Sequence, residues 1–233
     1  AATNAPAEAD WGGLYLNLGA GASIDQAYIA FAGGQTPIEG GAGSFNAIEL
    51  HEATARIANT TFEYNADGAS LVGDRSNRET NDAAVIFVRG SQPVIVNNVF
   101  QNNPGATISI DPNALKSINI VDQGRSTTDP DRVSSVAGKV TSTLDNFPQF
   151  ADNQGPLVRL NRISNETPTS SDTIILGMKV RAGSIDTQTV WDDTDIVHVL
   201  LAAPIPTIAT TLVSGLGTGT GTGSVTVADA SIF

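Results

Sequence analysis

The chain contains no cysteine, so neither a disulfide framework nor a thiolate metal site is open to it, and its chemistry is indifferent to redox compartment. Charge is also scarce. Only 15% of the residues are Asp, Glu, Lys or Arg, below the usual share of roughly a quarter, which argues against charge-driven disorder and leaves Ser, Thr, Asn, Gln and Gly to build the surface. Basic residues are the scarcer sign: 24 acidic against 12 basic residues give a net charge of −12. That balance repels nucleic acid and anionic lipid and favours cations or basic surfaces. No apolar run approaches the roughly 18 residues of a membrane-spanning helix. No Walker loop, dinucleotide fingerprint, Ser/His/Asp elbow or cysteine nucleophile is present. The opening AATNAPAEAD has no basic or apolar leader character and reads as a mature or trimmed start.

What the chain does have is a repeat. Its 233 residues, 40% of them hydrophobic, suffice for one domain with a substantial core. Ile57-x-Asn59-x-x-Phe62-x-x-Asn65 recurs as Ile95-x-Asn97-x-x-Phe100-x-x-Asn103. Further copies read Leu115-x-Ser117-x-x-Ile120-x-x-Gln123, Ile24-x-Gln26-x-x-Ile29-x-x-Ala32 and, more weakly, Ile175-x-Gly177-x-x-Val180-x-x-Gly183. Glycine follows or ends each copy. A short apolar strand precedes the clear ones: Leu14, Leu16 and Leu18; Ile48 and Leu50; Ile86 and Val88; Ala106 and Ile108. The unit is about 19 to 22 residues of alternating β-formers punctuated by Gly and Asn, the size of one solenoid coil.

Stacked coils pair each short strand with its equivalent in the next, giving parallel sheets in which like positions form rows. Ile24, Ile57, Ile95 and Leu115 make one inward row; Ile29, Phe62, Phe100 and Ile120 make another. The polar positions Gln26, Asn59, Asn97 and Ser117 form a structural ladder at a turn, where Asn tolerates left-handed backbone and can bond the next coil. Asn59 is therefore expected to be buried against Asn97, and the sequon Asn59-Thr60-Thr61 to be coincidental.

The stretches WGGLYLNLGAGASIDQAYIAFAGG (residues 11–34) and AVIFVRGSQPVIVNNVFQNNPGATISID (residues 84–111) resemble right-handed parallel β-helix repeat proteins of the pectin-lyase-like superfamily, and within it the repeat segments of large secreted bacterial surface proteins. The segment TVWDDTDIVHVL (residues 189–200) is similar to stretches that follow such coils. The resemblance implies an all-β, right-handed solenoid of roughly 5–7 coils and a secreted or cell-surface protein whose repeats act as scaffold or binding surface.

On this reading residues 1–12 are a lead-in or cap, 13–200 the solenoid, and 201–233, rich in Pro, Thr and Gly, a cap or assembly segment. Insertions 35–46, 69–83 and 125–155 are expected to leave one corner and lie side by side. Their charged residues Asp74, Arg75, Arg78, Asp129, Asp131 and Arg132 are either solvated loop residues or a shallow groove for carbohydrate or a partner protein. Asp192, Asp193 and Asp195 form the densest acidic patch. Ca²⁺ is the one cofactor the sequence allows for, and the patch lacks the glycine framework of a calcium loop, so a solvated strand cap is the plainer reading.

No row repeats a carboxylate pair of the kind a polysaccharide lyase or hydrolase needs. His51, between Glu49 and Glu52, reads as a surface residue with Arg89 and Ser109 in its row; His198, among apolar neighbours, reads as structural. The expected function is an extracellular structural or adhesive module, with copies of itself or other surface proteins as partners. The alternative is a carbohydrate-active enzyme or carbohydrate-binding module on the same fold.

Overall fold

The computed structural model describes residues 5–39, 41–69, 75, 78, 80–116, 133–134, 139–140, 154–164, 177–183 and 194–200. The chain visits three parallel sheets in a fixed order. A first circuit runs β1 (Leu14–Leu16), β2 (Gly21–Asp25), β3 (Tyr28–Ala30). After an antiparallel hairpin, β4 (Gln35–Ile38) and β5 (Gly41–Ser44), the second runs β6 (Ile48–His51), β7 (Thr54–Ala58), β8 (Thr61–Glu63). The third is β9 (Ala84–Arg89), β10 (Val94–Val96), β11 (Val99–Gln101).

The fourth begins with β12 (Ala106–Ile110) and a 3₁₀ turn, Pro112–Lys116. A short antiparallel pair, β13 (Val133–Ser134) and β14 (Lys139–Val140), interrupts it before β15 (Leu157–Arg159) and β16 (Arg162–Ser164). Two further strands, β17 (Met178–Val180) and β18 (His198–Leu200), complete sheet A, whose order is β1-β6-β9-β12-β17-β18. Sheet B is β2-β7-β10-β15 and sheet C is β3-β8-β11-β16. The protein is all-β with stacked parallel sheets, and among the described residues no helix is long and apolar enough to cross a membrane.

In-register pairing turns the alternating pattern into rows. Ile24, Ile57, Ile95 and Val158 form one inward row, and Ile29, Phe62, Phe100 and Ile163 another. Phe62 and Phe100 stack with centroids 4.8 Å apart and planes 5° from parallel, the geometry that strand spacing imposes on like residues in a row. Sheet A contributes Leu16, Leu50, Val88, Ile110, Val180 and Leu200 to a single core. Full burial contributes roughly 1.5 to 3 kcal/mol per large side chain.

Two expected rows are corrected. Leu115 is buried in the core but on the 3₁₀ turn; the fourth member of its row is Val158. Val180 of the weak copy belongs to sheet A, where it pairs with Ile110. The pair matching Ile86 and Val88 is Ile108 and Ile110, and Leu18 lies outside the row at 71% exposure.

All three corners use one device. A residue in the left-handed region turns the chain, and the next position bonds the neighbouring circuit. Between sheets B and C the turning residues are Gln26, Asn59, Asn97 and Leu160, with φ of 53°, 51°, 55° and 58°. The expected ladder exists in part: Asn97 Nδ2 donates to Asn59 Oδ1 at 2.6 Å, and Asn59 Nδ2 to Asp25 Oδ1 at 2.7 Å.

Asn59 is half-buried and Asn97 exposed, because a left-handed residue at the apex directs its side chain outward. The buried ladder stands one position on. Asn98 Oδ1 accepts from Thr60 N at 2.9 Å while its Nδ2 donates to Ile57 O at 3.0 Å. Asn161 does the same for Asn98 N and Ile95 O, at 2.9 and 2.8 Å. Ser117 lies outside the described residues.

Between sheets C and A, Phe31, Tyr64 and Asn102 turn the chain, and Asn65 and Asn103 accept from the backbone N–H of Ala32 and Asn65, each at 3.0 Å. Between sheets A and B, Ser91 Oγ accepts from Ala53 N at 3.0 Å. These bonds satisfy backbone groups that a tight buried corner would otherwise orphan. The first circuit carries Ala20, Ala27 and Ala32 at the three ladder positions, and so offers no side-chain acceptor at its outer end.

His198 is the one polar member of the inward row Leu14, Ile48, Ile86, Ile108, Met178. Burial pushes its pKa from 6.5 down to about 4, against a smaller opposing effect of its backbone bond with Ile196. Below pH 6.5 the unfolded chain therefore takes up a proton that the folded chain refuses, so stability falls as pH drops from about 6.5 toward 4. Thermal melts at pH 7 and pH 5 should show this loss, and His198→Met should reduce it.

Candidate functional site

On β6, Ile48 and Leu50 point into the core and Glu49 and His51 point away from it, yet all four are buried. What buries the outward pair is the chain inserted between sheet C and sheet A. The β4–β5 hairpin follows β3, and the segment carrying Arg75, Arg78 and Asn81 follows β8, so both leave the same corner, and these described residues lie against the outer face of sheet A. The remaining large insertion stands between β12 of sheet A and β15 of sheet B, so two insertions leave the corner between sheets C and A where three were expected.

At the centre of this covered face lies an ion pair with both side chains fully buried, Arg75 with Glu49. Arg75 Nη1 donates to Glu49 Oε1 at 2.9 Å and Nη2 to Oε2 at 3.1 Å, the two-point geometry that matches guanidinium to carboxylate. Nη1 also reaches Ser44 O at 3.1 Å, and the guanidinium lies over the Phe45 ring at 4.9 Å. His51 Nε2 is 2.9 Å from Glu49 Oε2; with the carboxylate ionised, Nε2 carries the proton and donates. Its ring lies between Tyr15, at 4.6 Å, and Phe87, at 5.3 Å.

Asn46 N and Asn81 Nδ2 complete the shell around Glu49 Oε1, at 3.0 and 2.9 Å. Burial alone would raise the Glu49 pKa. The hydrogen bonds from His51 and Arg75, the Arg75 charge and the Asn46 amide outweigh it and hold the carboxyl below its ordinary value.

A second cluster continues along the sheet. Asp82 Oδ2 accepts from Ser109 Oγ at 2.7 Å and pairs with Lys179 Nζ at 2.8 Å. Burial pushes the Asp82 pKa up, but these partners bring it below the usual carboxylate range. Arg181 donates to Ser109 Oγ and Val88 O at 3.0 and 2.8 Å and stacks over Phe87 at 4.1 Å.

Chemically, the two clusters pair each buried carboxylate with a cation and tie loops to strands. Glu49 and His51 have the spacing of an acid–base pair, but their side chains are 0% and 5% exposed, so a substrate would have to displace the loops to reach them.

The expected site residues divide accordingly. Arg75 is an internal tie and not a groove residue. Arg78 pairs with Glu39 of the hairpin at 3.0 Å and lies 5.8 Å over the Tyr15 ring, so it joins the two insertions to each other. Asp195 Oδ2 accepts from Leu160 N at 2.7 Å, bonding the apex of the last turn between sheets B and C. Asp74, Asp129, Asp131, Arg132, Asp192 and Asp193 lie outside the described residues, and among the described residues no group of three His, Asp or Glu could hold a metal.

His51, read from sequence as a surface residue, is buried; it pairs with Arg89, but Ser109 lies opposite Phe87, in the row of Glu49. Glu49, Asn46, Asn81, Asp82, Lys179 and Arg181 were not legible as a cluster. The available signal was charge at the outward positions of sheet A strands beside insertions of opposite charge. Comparison with family models, with curated proteins and with solved structures finds no match for this chain.

Proposed function

We propose that the chain is a right-handed parallel β-helix of the pectin-lyase-like kind, secreted or displayed at a cell surface, that works as a structural or adhesive module and joins end to end with copies of itself. The observation that carries this reading is where apolar surface is left. Among the described residues, seven large hydrophobic side chains are exposed: Trp11, Leu14, Leu18 and Tyr28 in or beside the first circuit, Tyr64 in the second, and Leu160 and Val197 next to the last described strands of sheets B and A. Of these, Leu14 and Leu18 at the first circuit and Leu160 and Val197 near the last described strands put apolar surface at the ends of the stack, which favours association there.

The outward charges of sheet A support the same reading, because they hold loops in place rather than face solvent. Since Ala20, Ala27 and Ala32 offer no ladder acceptors, an end-to-end joint would rest on backbone pairing and apolar contact. Sedimentation velocity should show species that grow with concentration and diminish in Leu14→Glu; a monomer at every concentration would overturn the assembly reading. The competing function, a carbohydrate-active enzyme, rests on the Glu49–His51 pair. Activity on acidic polysaccharides that is lost in Glu49→Gln would establish it in place of the structural role.

A further inference from the structure

Aromatic residues are few in this chain, and the phenylalanines Phe62, Phe87 and Phe100 are almost wholly buried. The outer side of sheet C near the first circuit departs from that economy. Tyr28 is 60% exposed, Tyr64 39% and Trp11 38%. Hydrogen bonds seat Trp11 beside Phe31, and Phe31 stacks on Tyr64. Trp11 donates through its backbone N to Phe31 O at 3.3 Å and through Nε1 to Ala30 O at 2.8 Å. Phe31 and Tyr64, in equivalent positions of successive circuits, stack with centroids 5.9 Å apart and planes 8° from parallel.

Both stacked residues pay a conformational cost. Phe31 and Tyr64 have φ of 61° and 54°, a region where bulky residues are rare and strained by about 1–3 kcal/mol, while the third residue of the row is Asn102, a type that tolerates it. A left-handed residue recurs at every corner, so the turn accounts for the backbone but not for the choice of two aromatic rings at this one.

At the centre of the patch stands a carboxylate held in a fixed orientation. Tyr28 Oη donates to Glu63 Oε2 at 2.7 Å, and Asn102 Nδ2 donates to Glu63 Oε1 at 3.1 Å. Each oxygen keeps a further lone pair, and Asn102 Oδ1 is an additional acceptor. Protein interfaces are depleted of charge at their centres, because a desolvated carboxylate must find full compensation. A ligand rich in hydroxyl groups supplies that compensation. The C–H faces of its rings lie on flat aromatic rings and its hydroxyls donate to a preset acid and amide. Net charge −12 and Glu63 itself repel uronates.

We propose that Tyr28, Phe31, Tyr64, Glu63 and Asn102, with Trp11 beside them, form a binding platform for a neutral or amino-sugar glycan. This goes beyond the module reading above, since a structural module needs no ligand.

The test is calorimetric titration with cellohexaose, mannohexaose and chitohexaose, with polygalacturonate as the acidic comparison. The expected result is binding of at least one of the three neutral oligosaccharides. That affinity should fall at least about tenfold in Tyr28→Ala and in Tyr64→Ala, fall in Glu63→Gln, and stay unchanged in Arg89→Ala on sheet A. Matching melting temperatures separate a lost platform from a lost fold, and Tyr28→Ala and Glu63→Gln carry the test alone if Tyr64→Ala fails to fold. Absence of binding to all three, binding that survives Tyr28→Ala, or equal binding of polygalacturonate would overturn the proposal.

Discussion

Replacing Arg75 with alanine is expected to cost about 3–5 kcal/mol in unfolding free energy, the usual result of removing one partner from a buried ion pair. Glu49 would keep its place on sheet A with both oxygens out of solvent and only His51, the Asn46 amide and the Asn81 amide as donors. The carboxylate cannot reach water without displacing the hairpin and the chain around Asn81. The loss should therefore appear as a lower denaturant midpoint and as faster proteolysis of those insertions.

Glu49→Ala should fall in the same range, stranding the Arg75 guanidinium. The double variant should lose less than the sum of the singles, since each already destroys the shared interaction. Acid should mimic the change: the Glu49 pKa is depressed in the folded state, so its contribution is present above the ordinary value of 4.5 and is lost as pH falls below it. A loss under about 1 kcal/mol in Arg75→Ala would mean that the pair is open to solvent.

Asn98→Ala should cost about 2–4 kcal/mol and Asn97→Ala less than about 1, although the two residues are adjacent. Asn98 is 1% exposed; its removal orphans Thr60 N and Ile57 O in a buried corner and breaks a bond with Asn161 Oδ1. Asn97 is exposed and gives up a side-chain bond to Asn59 and a conformational preference. Asn98→Asp separates the two halves of the device, because aspartate still accepts from Thr60 N and cannot donate to Ile57 O. It should fall between the wild type and the alanine variant. Chemical denaturation of the three variants checks the order, and equal losses in Asn97→Ala and Asn98→Ala would contradict the buried ladder.

These two residues also show how far the sequence could be read. Rows built from buried side chains were legible because a core imposes type and spacing together: Ile24, Ile57 and Ile95 repeat, as do Ile29, Phe62 and Phe100, and all six stand where the repeat puts them. The ladder was placed one position early. Asn is common at a left-handed apex and equally common at the buried position after it, so Asn97-Asn98 offers two candidates and spacing alone does not choose between them.

The fourth member of the row was hidden for a related reason. Leu160 occupies an apex that is polar in the other circuits, while Leu115, which imitates the apolar spacing, is buried on the 3₁₀ turn outside the strand row, and Ile120 lies outside the described residues. The following residue carried the better signal, since Asn161 repeats the role of Thr60 and Asn98. The Arg75–Glu49–His51 cluster was illegible because it joins a loop to a strand 26 residues earlier, and no periodicity encodes where an insertion folds back.

The register of the circuits is the claim on which the rest depends, and the absence of cysteine makes it directly measurable. Asn97 and Leu160 are exposed, hold the same place in adjacent circuits, and are linked through the bond from Asn97 N to Arg159 O at 3.0 Å. Neighbours in one row lie at about the Cα separation that a disulfide spans. A chain carrying Asn97→Cys and Leu160→Cys should close an intramolecular disulfide under mild oxidation, read as a 2 Da mass loss of the intact monomer. A chain carrying Asn97→Cys and Ser117→Cys should remain reduced. Closure of the second pair with failure of the first would show that the row runs through Leu115, and would contradict the architecture described above.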